Sequence, residues 1–161
     1  MKVYKLILKP VANSDISLLS KWLHKDYILK WYHDAEEWLN EIEERHGKFR
    51  FLSHYLVLDD NNVPFGFCQF YDCFDAKEDW YSVASANEMY SIDYLIGKEE
   101  YLGKGYGKEI VKVLVNKILE VKNTEAIVVQ PEQNNIASCK ALLANNFIYD
   151  VEKGYYIRSF F

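Results

Sequence analysis

Gly103, Gly105 and Gly107 stand at alternate positions in the run Leu102-Gly103-Lys104-Gly105-Tyr106-Gly107, between a strand-like segment and a stretch of helically spaced apolar residues. A strand, a glycine-rich turn and a helix N-terminus make an anion site, because unpaired backbone N–H groups and the helix dipole point at the ligand. Bare glycines let the backbone approach a pyrophosphate, and Lys104 and Lys108 add positive charge at the rim. Two versions of this device do not fit. A Walker A loop, G-x-x-x-x-G-K-S/T, counted back from Gly107-Lys108 needs glycine where Leu102 stands and Ser or Thr where Glu109 stands. A dinucleotide fingerprint needs Gly or Ala three residues after Gly105, and that residue is Lys108. What remains is a loop for the pyrophosphate of an acyl-CoA. A plain turn with no ligand is the bland alternative, and three glycines in five residues at a helix start are costly for it.

Asp93 is the second residue with chemistry to offer. It is an acid inside an apolar and aromatic strand, where burial raises a carboxyl pKa toward that of a useful proton acceptor. Its structural alternative is a carboxylate paired at a sheet edge. Glu88, just before the same strand, is the reserve base. Gln69 and Tyr71 hold alternate positions on an earlier strand and are expected to face a substrate. Tyr90 and Tyr94 are further candidates to face it, although an aromatic strand face is more often core. The histidines, His24, His33, His46 and His54, form no cluster and read as surface or helix-end residues. Cys68 and Cys73 lack a second Cys or His pair at ligand spacing, so no metal site is expected.

These residues need a frame. Val3 to Leu8 reads as a first strand ending before Pro10. Asn13-Ser14-Asp15 offers caps for a helix carrying Ile16, Leu18, Leu19, Trp22 and Leu23. Asp34 and Glu37 have capping-box spacing for a second helix with Trp38, Leu39 and Ile42, stopped by Gly47. Tyr55 to Leu58 and Phe65 to Tyr71 read as a hairpin around Asp59-Asp60-Asn61-Asn62, and Asp72 to Asn87 as a polar loop. A strand follows from Met89 to Ile96, with Tyr90, Ile92, Tyr94 and Ile96 on one face and Met89, Ser91, Asp93 and Leu95 on the other. Beyond the glycines come a helix from Ile110 to Leu119, a strand Ala126 to Val129, and a helix capped by Asn134 or Asn135 and running through Leu143. Phe147 to Asp150 and Tyr155 to Phe160 close the chain as a hairpin. The expected order is β-α-α-β-β-β-α-β-α-β-β.

The 161 residues suit one domain over 1–161, with half of them hydrophobic and no low-complexity tract. A net charge of −5 argues against a general nucleic-acid binder and leaves room for a cationic small molecule or basic peptide. Acids gather at Asp34, Glu36, Glu37, Glu41, Glu43 and Glu44, and again at Asp72, Asp75, Glu78 and Asp79; these attract a polycation or simply solvate a helix and a loop. No apolar run has the length of a signal peptide or a membrane span, and three cysteines without such a signal suggest a reduced, cytoplasmic protein with free thiols.

The glycine run, the strand acid before it and the later segment Gln130-Pro131-Glu132-Gln133-Asn134-Asn135 to Asn146-Phe147 together resemble the GNAT acetyltransferases. The subgroup most similar is the aminoglycoside 6′-N-acetyltransferases, whose activity confers antibiotic resistance. The resemblance covers residues 50 to 160 well and the first helices loosely. It implies an α/β fold with a mixed, mainly antiparallel sheet flanked by helices and splayed where acetyl-CoA binds. It also implies direct acetyl transfer to a primary amine, with no metal and no covalent enzyme intermediate. Asp93 would be the base, and a backbone N–H near Leu95 or Ile96 the oxyanion donor beside the pantetheine amides. Residues Leu102, Gly103, Lys104, Gly105, Tyr106, Gly107 and Lys108 would hold pyrophosphate, and Asn135 the pantetheine arm. Monomers and homodimers both occur in the family. Alternative acceptors are a protein N-terminus or a polyamine, and a non-catalytic acyl-CoA-binding module is the rival class. Three residues depart from the family pattern: Gln130 replaces an Asp that helps hold aminoglycoside amines, Leu142 replaces a Tyr near the CoA sulfur, and Asn146 replaces Gly.

Overall fold

Residues 89–96 alternate between two apolar environments, and they form strand β4, Met89–Ile96, with the bounds the alternation predicts. The computed structural model describes residues 4–160. Six further strands join β4: β1 Ile7–Pro10, β2 Leu52–Leu58, β3 Pro64–Asp72, β5 Ala126–Val129, β6 Ile148–Asp150 and β7 Tyr155–Ser159. They make one sheet in the order β1-β2-β3-β4-β5-β7-β6. Every neighbouring pair is antiparallel except β4 and β5, which run parallel.

The helices α1 Ile16–Leu23, α2 Asp26–Tyr32 and α3 Ala35–Glu43 cover one face. Leu19, Trp22, Ile28, Leu39 and Ile42 pack there on Leu56, Phe67 and Leu95. The other face carries α5 Tyr106–Val121 and α6 Ile136–Ala144, which bury Ile110, Val111, Leu114, Ile118 and Leu142 against Phe65, Phe70, Ile92 and Ile127. The two faces of β4 expected from the sequence are therefore the two layers of the fold.

Several boundaries differ from the sequence reading, each for a local reason. The first strand is Ile7–Pro10 and contains Pro10, which an edge strand tolerates because only one side needs ladder bonds; Val3 lies outside the described residues. An unforeseen helix, α2, follows α1 with no side-chain cap to announce it, and only Ile28 in it is fully buried. A single helical turn, α4 Cys73–Ala76, interrupts the polar loop, capped by Asp72 accepting the Phe74 N–H at 3.0 Å. Helix α3 does begin at Asp34, whose side chain accepts the Glu37 N–H, but it ends at Glu43, before Gly47. Buried Arg45 takes over at that end, donating to the carbonyls of Ile42 and Val11 and to Asn13 Oδ1.

Gly97, just past β4, joins the sheet to α1. A Cβ there would lie 2.0 Å from the Trp22 ring, itself 2% exposed. Gly97→Ala is expected to cost about 1–3 kcal/mol of stability through overpacking. Urea unfolding would show this as a lower midpoint at unchanged slope.

Candidate functional site

Parallel strands β4 and β5 are hydrogen-bonded neighbours only at Met89↔Ala126 and Tyr90↔Ile127. Beyond that point β4 stays with β3, β5 stays with β7, and a wedge opens between them. The Glu88 carbonyl accepts the Glu125 N–H, so strand alternation turns the backbone of Tyr94 and Ile96 toward the wedge and that of Leu95 toward β3. Of the two expected oxyanion donors, Ile96 reaches the freed edge and Leu95 does not; the Leu95 side chain is buried under the first helices. Two carbonyls on that edge accept side-chain donors from α2: Tyr32 Oη donates to Tyr94 and Tyr27 Oη to Ile96 at 2.7 Å. Just past the strand, Lys25 Nζ donates to the Gly97 carbonyl at 2.7 Å.

At the far end of β4 the glycine run leads into α5. Gly103 and Gly105 have φ of 70° and 85°, a left-handed conformation that needs glycine. Gly105 is also the N-cap of α5, and having no side chain it cannot satisfy the first-turn N–H groups of a 16-residue helix. Leu102, Gly103, Lys104 and Gly105 are exposed, and Lys108 is exposed one turn on. Tyr106 is half-buried against Phe65 and Tyr101. A Cβ on Gly107 would come within 3.3 Å of the Tyr94 hydroxyl, so this glycine keeps room for that group.

A cavity of about 520 Å³ lies beside the wedge, bounded by α2, α3, the segment after α4, β3, β4 and the start of α6. Five carboxylates line it, Glu37, Glu41, Glu78, Asp93 and Glu132, and no Lys or Arg is among the described lining residues. Aromatic walls come from Trp31, Tyr32, Trp38, Phe49, Trp80 and Tyr71. Glu132 Oε1 is hydrogen-bonded to His33 Nε2 at 2.6 Å. Tyr71 Oη donates to Glu78 Oε1 at 2.6 Å, and Gln69 Nε2 donates to Asp93 Oδ2 at 2.8 Å. Asp93 is half-buried. Burial pushes its carboxyl up to about 7; the Gln69 bond opposes this, and Glu78 and Glu41 add to it. Burial likewise pushes Glu41 up to about 7, helped by Glu37 and Glu78.

The predicted residues thus divide. Asp93, Gln69, Tyr71, Gln130 and Asn135 line one cavity. Asn135 also caps α6, accepting the Ser138 N–H at 3.3 Å, and Gln130 donates to the Gly154 carbonyl at 3.1 Å. Glu88 is not brought there; its carboxylate accepts the Ala84 N–H at 3.2 Å outside the lining. Of the clustered acids, Glu37, Glu41 and Glu78 converge on the cavity, while Asp34 and Asp72 cap helices. His54 is corrected: it is a 6% exposed residue of β2, stacked on Phe67, because its place in the strand points it inward. Cys139 is half-buried on the wall of a second cavity. Sequence reasoning missed Trp31, Tyr32, Trp80 and Glu132. Tyr94, with Tyr90 one of the weaker sequence candidates, is half-buried on the cavity wall, and Tyr90 does not line it. Among the described residues no group of His, Cys, Asp and Glu suits a metal, and no helix is long and apolar enough to cross a membrane.

Comparison with known proteins gives the arrangement a context. The family model described as "Acetyltransferase (GNAT) domain" matches residues 11–152. Aminoglycoside N(6')-acetyltransferase type 1 of Klebsiella pneumoniae is 22% identical over 139 residues, which cover 83% of this chain and 69% of that protein; the enzyme of that name from Serratia marcescens matches equally. Among solved structures, aminoglycoside acetyltransferase AAC(6')-Ib in complex with coenzyme A superposes with a TM-score of 0.80 at 20% identity, over 97% of this chain and 95% of that one. An uncharacterized protein of Bacillus halodurans superposes with a TM-score of 0.78 at 18% identity, over 97% and 84% of the two chains.

The raised Glu41 pKa has a consequence for stability. Between the ordinary carboxylate range and about 7, the folded protein holds a proton that the unfolded chain has lost, so stability falls as pH rises through that window. Glu41→Gln removes the ionised form. It is expected to raise the melting temperature at pH 8 and leave it nearly unchanged at pH 4, as scanning calorimetry would show.

Proposed function

The chain belongs to the GNAT acetyltransferase family, and from that membership we propose that its acceptor is a small polycationic amine of the aminoglycoside kind. The reaction is acetyl-CoA-dependent N-acetylation, with acetyl-CoA as donor and no metal required. The acceptor reading is carried by one observation: five carboxylates and an aromatic wall around a cavity of about 520 Å³ with no lining Lys or Arg. Such a volume suits a small molecule, and such a field draws several ammonium groups at once. The relatives named for aminoglycosides support the same acceptor.

In this reading Asp93 accepts the proton that an ammonium must lose before its nitrogen attacks the thioester carbonyl. A carboxyl held near pH 7 is ionised enough to accept and basic enough to be useful. The Ile96 N–H, on the freed edge of β4, faces the oxygen that gains charge in the transition state. The bare first turn of α5, with Lys104 and Lys108, holds the pyrophosphate, and Asn135 meets the pantetheine arm. Leu142 is fully buried and has no proton to give. The Tyr94 hydroxyl, close to Gly107 and beside Ser138, returns a proton to the departing thiolate in its place.

The test is thiol release from acetyl-CoA across kanamycin-type aminoglycosides, polyamines and short peptides. Turnover is expected with aminoglycosides, and kcat/KM should rise with pH to a plateau through a midpoint of about 7. Asp93→Asn is expected to lose about 10²–10⁴-fold in kcat while acetyl-CoA binding persists. Activity on peptides alone would sink the acceptor assignment. An Asp93→Asn protein that keeps its kcat would remove Asp93 from the mechanism.

A further inference from the structure

Among the described residues, three buried polar side-chain atoms lack a hydrogen-bonding partner: Nδ1 and Nε2 of His54, and Oε1 of Gln69. Buried polar groups are nearly always satisfied, so orphans in a native fold ask for an explanation. These three lie side by side. The β2–β3 register sets His54 opposite Gln69, and the β3–β4 register sets Gln69 opposite Asp93. The result is one polar row across three strands on the face covered by α1 to α3, with Leu56, Phe67 and Leu95 forming the next row. His54 and Gln69 are 6% and 2% exposed, so bulk water does not serve them. The orphans are chemically complementary, a ring N–H donor and an amide oxygen.

We propose that His54 is a positioning residue for Asp93, acting through Gln69: its ring N–H holds Gln69 Oε1 and so keeps Nε2 turned toward the carboxylate. A glutamine amide has two orientations of nearly equal shape. Turned the other way, Oε1 would face Asp93, and two acceptors would oppose each other unless the carboxyl kept its proton. Held as it is, the amide favours the ionised form that accepts a proton. His54 can do this without adding a charge, because burial, aided by nearby Arg45, holds its pKa down to about 4 and the ring neutral at working pH. Glu41 and Glu78 push the carboxyl the other way, so the Gln69 bond is what opposes them.

The inference rests on Asp93 being the base, and its first test does not need turnover. The Asp93 carboxyl is titrated by carbon-13 NMR in the wild type, His54→Phe and His54→Gln. His54→Phe is expected to raise the Asp93 midpoint by about one pH unit, the scale of a hydrogen bond to a charged group. His54→Gln, which keeps an N–H, should restore it. Gln69→Leu serves as the second variant should His54→Phe not fold. It is expected to give the same upward shift, and His54→Phe added to it should change nothing further. The rising limb of kcat/KM should move with the NMR midpoint while the KM for acetyl-CoA stays put. An unmoved Asp93 midpoint in His54→Phe, or His54 and Gln69 effects that simply add, would overturn the relay. A shifted midpoint with an unshifted rate profile would uphold the relay and overturn Asp93 as base.

Discussion

The parting of β4 from β5 is the constraint on which the rest of the molecule depends. Two parallel strands that share only two residue pairs leave the following stretch of backbone without a ladder inside a protein interior. Buried carbonyls must find donors somewhere. Here the donors are Tyr27, Tyr32 and Lys25, all from α2 and the residue before it. That accounts for a short helix with a poor cap and few buried residues: its hydroxyls and ammonium satisfy a strand edge. Side-chain partners differ from a strand in one useful way. They can be exchanged singly for the amides of an extended ligand, without dismantling a ladder.

The same opening explains why a polar row survives in an otherwise apolar face. Leu56, Phe67 and Leu95 pack under α1 to α3 as expected of a core. One step along, His54, Gln69 and Asp93 replace them, where the helices draw back and the cavity begins. Asp93 is solvated only from the cavity side, which is why burial dominates its pKa. A carboxylate open to bulk water would have no such shift and little use as a base near neutrality.

Much of this was legible in the chain, and the parts that were not have physical reasons. Met89–Ile96 and Ala126–Val129 came out with their true bounds, because both faces of each strand are buried and the pattern is long or sharply ended. The glycine run was legible because positive φ at Gly103 and Gly105 demands glycine. Helix α2 was not, since Asp26 to Tyr32 has neither a cap signature nor a clean apolar stripe; its tyrosines and tryptophan serve the edge and the cavity instead. His54 was misread for a related reason. A histidine alternating with Leu52 and Leu56 points inward, but only the register with Gln69 reveals what it faces. The convergence of Glu37, Glu41 and Glu78 is likewise tertiary: two come from α3 and one from the segment after α4, more than thirty residues on.

Those carboxylates work against the fold that gathers them. Glu41 and Asp93 both titrate near 7 because each is desolvated and each feels Glu78. A structural network would relieve such crowding with an arginine or lysine, and none lines the cavity among the described residues. Buried like charges without a counter-ion are unfavourable, and native proteins retain them where function uses the imbalance. In the proposed function the relief comes from outside, as a cation whose several ammonium groups meet several carboxylates together. Asp93 alone among them lies on β4, beside the parted strands and the bare start of α5. Under that proposal the field that holds the ligand also places one of its amines against Asp93, the carboxylate proposed to deprotonate it.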